Sequence, residues 1–127
     1  MPATSSYDYA IIRVVPHVER GECINVGVIL FCRTRRFLGT CMHVDEQRLL
    51  AFAPDLDLPA LRQQLEHITC ICEGRDGCGP IAQLSQSERF HWLVSPRSTI
   101  IQSSPVHSGL CSDPAATLQN LVRKLLL

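Results

Sequence analysis

Charge of one sign is what this sequence most plainly lacks: twelve basic side chains stand against twelve acidic ones, a formal net charge of zero. No global field draws the chain to DNA, RNA or an anionic membrane, so any anion site must be local. Aromatic residues are few, at 6%, which leaves little of the ring stacking that single-stranded nucleic acid binding uses. A nucleic-acid-binding module is therefore the least supported of the readings below. No apolar run approaches the ~20 residues that span a bilayer, and MPATSSYDYAIIRVV lacks the basic start, apolar run and cleavage site of a signal peptide. A cytoplasmic chain without a membrane partner is expected. Repeats, low-complexity tracts and linkers are also missing, so residues 1–127 are read as one domain.

What is present favours a folded core. Hydrophobic residues make up 46% and charged residues 19% of 127, a globular composition, and a chain of this length buries roughly two-thirds of its unfolded surface. Seven cysteines, an odd number without a secretory signal, argue for reduced thiols rather than a disulfide framework. His67, Cys70, Cys72 and Cys78 are the tidiest metal candidates by chemistry, yet Cys70-Ile-Cys72 is not a two-residue knuckle and no second pair follows. No metal and no cofactor are expected.

Tyr7–Val15 is rich in aromatic and β-branched residues and ends at Pro16, which reads as a strand. Cys23–Cys32 reads as a second strand, with Ile24, Val26, Val28 and Leu30 on one apolar face, and Phe37–Val44 as a third after the basic turn Arg33–Arg36. Asp45 caps a short helix through Phe52. Asp57 caps a longer one, with Pro59 in its first turn and a stripe of Leu58, Leu61, Leu65, Ile68 and Cys72 ending before Gly74. Residues 73–80 are a glycine-rich loop and 81–84 a single helical turn. Ser85–Glu88 matches a capping box, but Phe90, Trp92 and Val94 also alternate as a strand does, so both assignments stand. Ser112 or Asp113 with Pro114 starts a final helix carrying Leu118, Leu121, Val122, Leu125 and Leu126. The expected fold is α+β: an antiparallel sheet on an N-terminal three-stranded meander, helices packed on one face, and a C-terminal helix.

The segment SPRSTIIQSSPVH, residues 95–107, crowds hydroxyls around an arginine and a histidine. Ser95, Ser98, Ser103, Ser104 and Ser108 lie near His91 and His107, with Glu88 and Asp113 flanking, but no glycine-flanked nucleophile elbow exists and no catalytic residue is assigned. Pro96 and Pro105 bracket Ile100-Ile101 as an edge strand between two pinned turns. Arg97 differs in kind, because a guanidinium among hydroxyls offers a bidentate fork for phosphate or carboxylate. The alternative is that it ties the loop to backbone carbonyls. Arg89 and Trp92 add a second charge and a stacking plane, and His107 or His91 an acid or base. Asn25 and Gly27 interrupt the second strand, marking either a bulge or a ligand that approaches closely.

Taken together, Gly21-Glu22-x-Ile24-Asn25-Val26-Gly27-Val28, then Arg89, Trp92, Ser95, Pro96, Arg97 and the Ser104-Pro105-Val106-His107 block, resemble the bacterial family catalogued as domain of unknown function 3037, over nearly the whole chain. Cys23 departs from the bulky aromatic expected there. The resemblance implies no reaction and no catalytic residues. It implies a context, in which such proteins look like small companions encoded near kinases similar to the HipA type. A binding or regulatory module with a protein partner is thus the leading expectation, its leucine-rich last helix read first as core and second as a contact face. The alternative is an enzyme or sensor that holds a phosphorylated small molecule or nucleotide through Arg97, and it needs Arg97 and His107 to be neighbours.

Overall fold

The computed structural model describes residues 3–97 and 99–127; Met1, Pro2 and the candidate nucleophile Ser98 lie outside the described residues. Strands β1 (Ser5–Val14), β2 (Ile24–Cys32) and β3 (Phe37–Met42) come first, followed by helices α1 (Glu46–Phe52), α2 (Leu58–Glu73) and α3 (Gln86–Leu93). Two short strands, β4 (Ile101–Ser103) and β5 (His107–Cys111), then lead into α4 (Pro114–Leu125). The sheet runs β3-β2-β1-β4, with β5 continuing beside β4 along the same edge of β1, and every pairing is antiparallel. The expected meander and α+β class hold. Among the described residues no helix is long and apolar enough to cross a membrane.

The pairing of β1 with β2 departs from simple alternation. Ile12 faces Gly27 while Arg13 faces Asn25, so Val26 is an extra residue on β2. A bulge of this kind resets which side chains share a face. The single apolar face expected of Ile24, Val26, Val28 and Leu30 is therefore divided. Ile24 and Val26 join Ile29 and Phe31 in the core beneath α2 and α3, whereas Val28, Leu30 and Cys32 meet Leu118, Val122 and Leu126 of α4 on the other side. Gly27 is a point of close approach: a Cβ there would press on the Met42 sulfur and lie 3.3 Å from the Ile12 Cβ.

The helices start where the sequence places caps. Asp45 and Asp57 accept from Arg48 N and Ala60 N, each at 3.1 Å, and α2 stops at Gly74, whose φ of 67° is left-handed. Residues 86–93 take the helical alternative, because the Ser85 hydroxyl accepts from Glu88 N at 3.2 Å and donates to the Glu88 carboxylate at 2.9 Å. That cap satisfies the Glu88 amide donor at the helix start, and the helix turns Phe90 onto Phe31 with ring centroids 5.2 Å apart. The apolar stripe of α4 is buried against the sheet, so the last helix is core rather than a contact face.

The 95–107 segment forms its edge strand as expected. Ser104 is only 2% exposed, and its hydroxyl accepts from Ile11 N at 2.8 Å and donates to Pro105 O at 2.9 Å. It carries the ladder across the break between β4 and β5. Replacing it strands a buried amide, a loss of about 1–3 kcal/mol. Ser104→Ala is accordingly expected to lower the urea midpoint by that amount of stability, while Ser103→Ala, whose hydroxyl only meets Ser104 O, stays within about 0.5 kcal/mol.

Candidate functional site

One stripe of α2, formed by Ala60, Gln63, Gln64, His67 and Ile68, faces Trp92 and residues Arg97, Thr99, Ile100 and Ile101 across a groove of about 910 Å³. The spacing of the α2 residues is that of one helical face. Ile68 and Ile101 are buried and form an apolar floor, whereas Gln63, Gln64 and His67 are exposed along one wall. The size falls in the range of ligand clefts, which pair an apolar lining with a few placed polar groups.

Trp92 and Arg97 form the opposite wall as a unit. After α3 ends, the Ser95 hydroxyl donates to His91 O at 2.7 Å and the chain bends at Ser95, ahead of Pro96. Arg97 Nη2 then donates to Trp92 O at 2.9 Å, and its guanidinium lies 4.2 Å from the indole centroid. Such a cation–π contact contributes about 0.5–2 kcal/mol as desolvation increases. Both sequence alternatives for Arg97 thus meet in one side chain. One of its five donors ties the loop, and among the described residues the others have no partner.

The remaining predicted site residues do not join this pair. Arg89 lies at the end of α2, donating from Nη1 to Leu84 O at 3.0 Å and filling the space above Gly74; it fastens α3 to the preceding loop. His107 stacks on Tyr9 with centroids 5.3 Å apart, on the α4 side of the sheet where Tyr9 packs. Trp92 packs in the core of the opposite side. The acid/base reading, which requires Arg97 and His107 as neighbours, loses its geometry. Asn25 also faces the α4 side and donates to Leu125 O at 3.4 Å. It stands in register with Arg13, which is in turn opposite Gln102.

The chemistry suggested by the serines is absorbed by the fold. Thr99 donates to Ile101 O, Ser103 to Ser104 O and Ser108 to the Asp8 carboxylate, at 2.6, 2.9 and 2.6 Å. Asp113 caps α4, and the Glu88 carboxylate accepts from the Ser85 cap. His91 Nδ1 lies 2.7 Å from Ser87 O, in a second depression with Ser6, Asp8, Phe31, Arg33 and Thr34. The basic turn therefore borders that depression and not the Arg97 groove.

The four metal candidates are split. Cys70 and Cys78 are joined as a disulfide with Cα atoms 6.0 Å apart, which corrects the expectation of uniformly reduced thiols: the glycine-rich loop folds Cys78 back onto α2. His67 lines the groove, Cys72 is buried in the core, and among the described residues no group of three or more metal-binding side chains converges. Gln63, Gln64 and His67 were missed as groove residues. The signal was the polar half of the α2 periodicity, which marks exposure but not what stands opposite.

With this geometry in place, comparison with known families matches residues 9–126 to the family described as Protein of unknown function (DUF3037). The chain belongs to that family. No curated protein and no solved structure matches it. Cys23, where the resemblance implied a bulky aromatic, is exposed just before β2, so a small residue there leaves no hole in the core.

Burial pushes the Cys72 thiol from its ordinary 9.0 up to about 12, with Arg89 pulling the other way. Burial likewise raises Tyr7 and Cys111. Above pH 9 the unfolded chain gives up protons that the folded chain keeps, so stability is full below that pH and falls as pH climbs towards about 12. A urea midpoint that declines over this alkaline range, and declines less in Cys72→Ala, is the expected outcome.

Proposed function

We propose that this chain is a small binding and regulatory module whose recognition element is the groove between α2 and the wall of Trp92, Arg97 and residues 99–101. The observation that carries this reading is the Arg97 guanidinium fixed on the Trp92 ring beside an apolar floor. Its complement is a ligand with an apolar body and an anionic end, a carboxylate or a phosphate. The helix caps and turns that occupy the serines and carboxylates support binding over catalysis.

The partner we propose is a kinase similar to the HipA type, with an anion-bearing segment of it seated in the groove. The companion context implied by the family resemblance supports this choice. Sensing of a phosphorylated small molecule or nucleotide in the same groove, without the acid/base role of His107, is the second reading, favoured by the same stacked arginine. Binding to nucleic acid has, among the described residues, only the Arg97 guanidinium as a groove cation behind it, against a chain of zero net charge.

Affinity purification of the tagged chain from its host separates these readings. A stoichiometric kinase companion is expected with the native sequence, and Arg97→Ala is expected to weaken its retention about 10- to 100-fold, the size of a charge-assisted hydrogen bond of about 1.5–3 kcal/mol. Circular dichroism of the variant should be unchanged. Recovery of the native chain with no companion overturns the partner reading. A fluorescence change of Trp92, the one tryptophan, on titration with adenosine nucleotides then favours the small-molecule reading.

A further inference from the structure

The two edges of the sheet are finished differently. Along the β4–β5 edge, Thr99 donates to Ile101 O at 2.6 Å, Gln102 donates to Thr99 O at 2.9 Å, and the strand breaks at Ser104-Pro105. Side-chain bonds to the backbone and a proline that lacks a donor are devices that blunt an edge against further pairing. The β3 edge, Phe37-Leu-Gly-Thr-Cys-Met42, has no proline, no lysine and no bulge.

The backbone of β3 is laid out to accept another strand. His43 N donates inward to Val26 O at 2.7 Å, and the register from Gly27–Met42 to Cys32–Phe37 is unbroken. Since inward and outward groups alternate in an antiparallel ladder, Phe37, Gly39 and Cys41 bond to β2 while Leu38, Thr40 and Met42 direct their N–H and C=O groups outward. Among the described residues those outward groups have no partner. Leu38 and Met42 pack into the core under α2, and Phe37 and Cys41 into the cluster under α4. Both faces are thus anchored, and little further ordering is needed for the edge to pair.

Charge decides what pairs there. The strand is preceded by Arg33, Arg35 and Arg36 and followed by Asp45 and Glu46. An antiparallel partner with the same polarity of charge sets basic against acidic at both ends, and a second copy of this chain has that polarity. Centred on Thr40, the pairing places Leu38 opposite Met42 of the second copy and the arginine turn of each beside Asp45 and Glu46 of the other. We propose that β3 is the seam of a symmetric homodimer in which two sheets join antiparallel through Leu38, Thr40 and Met42.

Amide hydrogen exchange on the full chain, read at high and low concentration with light scattering alongside, tests this. Twice the chain mass is expected at high concentration. The Leu38, Thr40 and Met42 amides should then exchange at least about 10-fold more slowly than after dilution, with Gly39 and Cys41 slow throughout. Thr40→Pro removes one outward donor and the Thr40 hydroxyl bond to Val28 O but no backbone bond to β2, so it should give a folded monomer. Arg36→Glu, which sets like charge against Asp45, should also shift the mass towards the monomer without touching the ladder. A native chain that stays monomeric, or a dimer in which the three amides exchange equally fast at both concentrations, overturns the proposal. So does Arg36→Glu remaining fully dimeric.

Discussion

Everything in this fold depends on the bulged pairing of β1 and β2. The two strands hold the centre of the sheet and are buried on both faces, which requires apolar side chains in both directions from one short sequence. CINVGVILFC alone cannot meet that requirement with a regular alternation, because Asn25 and Gly27 interrupt one of its two faces. The extra residue at Val26 resolves it by changing parity partway along the strand. Ile24 and Val26 then serve the α2–α3 side and Val28 and Leu30 the α4 side. Gly27 belongs to the same device, since Met42 and Ile12 crowd the place of its missing side chain.

The groove follows from that division. Because α4 covers one face, α2 and α3 are left to share the other, and they meet over Ile29, Phe31 and Ile101. The chain leaving α3 must descend from helix to sheet edge within a few residues, and Arg97 is where it does so. Its bond to Trp92 O and its position over the indole tie it back to α3. A loop pinned for reasons of stability thereby presents a fixed guanidinium to an apolar cleft.

Much of the fold could be read from local chemistry. Asp45, Asp57, Ser85 and Asp113 act as caps where capping residues stand in the sequence, and the meander follows from β-rich runs separated by short polar turns. What failed was non-local. The bulge depends on which residue of β1 faces Asn25, so alternation within β2 could not reveal it. The choice of helix for 86–93 was open until Ser85 and Glu88 closed their reciprocal bonds. Arg97 and Trp92 were legible as a pair because they are near in sequence. Asn25 and His107 could not be excluded from their company, since the face each occupies is set by register, and His67 entered the groove from a helix read only for its apolar stripe. The Cys70–Cys78 bridge was hidden for a similar reason, as the turn of the loop after Gly74 decides it.

The central claim is that binding takes place at the Arg97–Trp92 wall. The most direct measurement is the indole N–H resonance of Trp92 in isotope-labelled chain, free and in complex with the proposed kinase partner. A shifted indole resonance, together with a slowed Arg97 side-chain N–H signal, is the predicted result. A companion bound at full occupancy with both signals unchanged contradicts the account and moves the site elsewhere on the molecule.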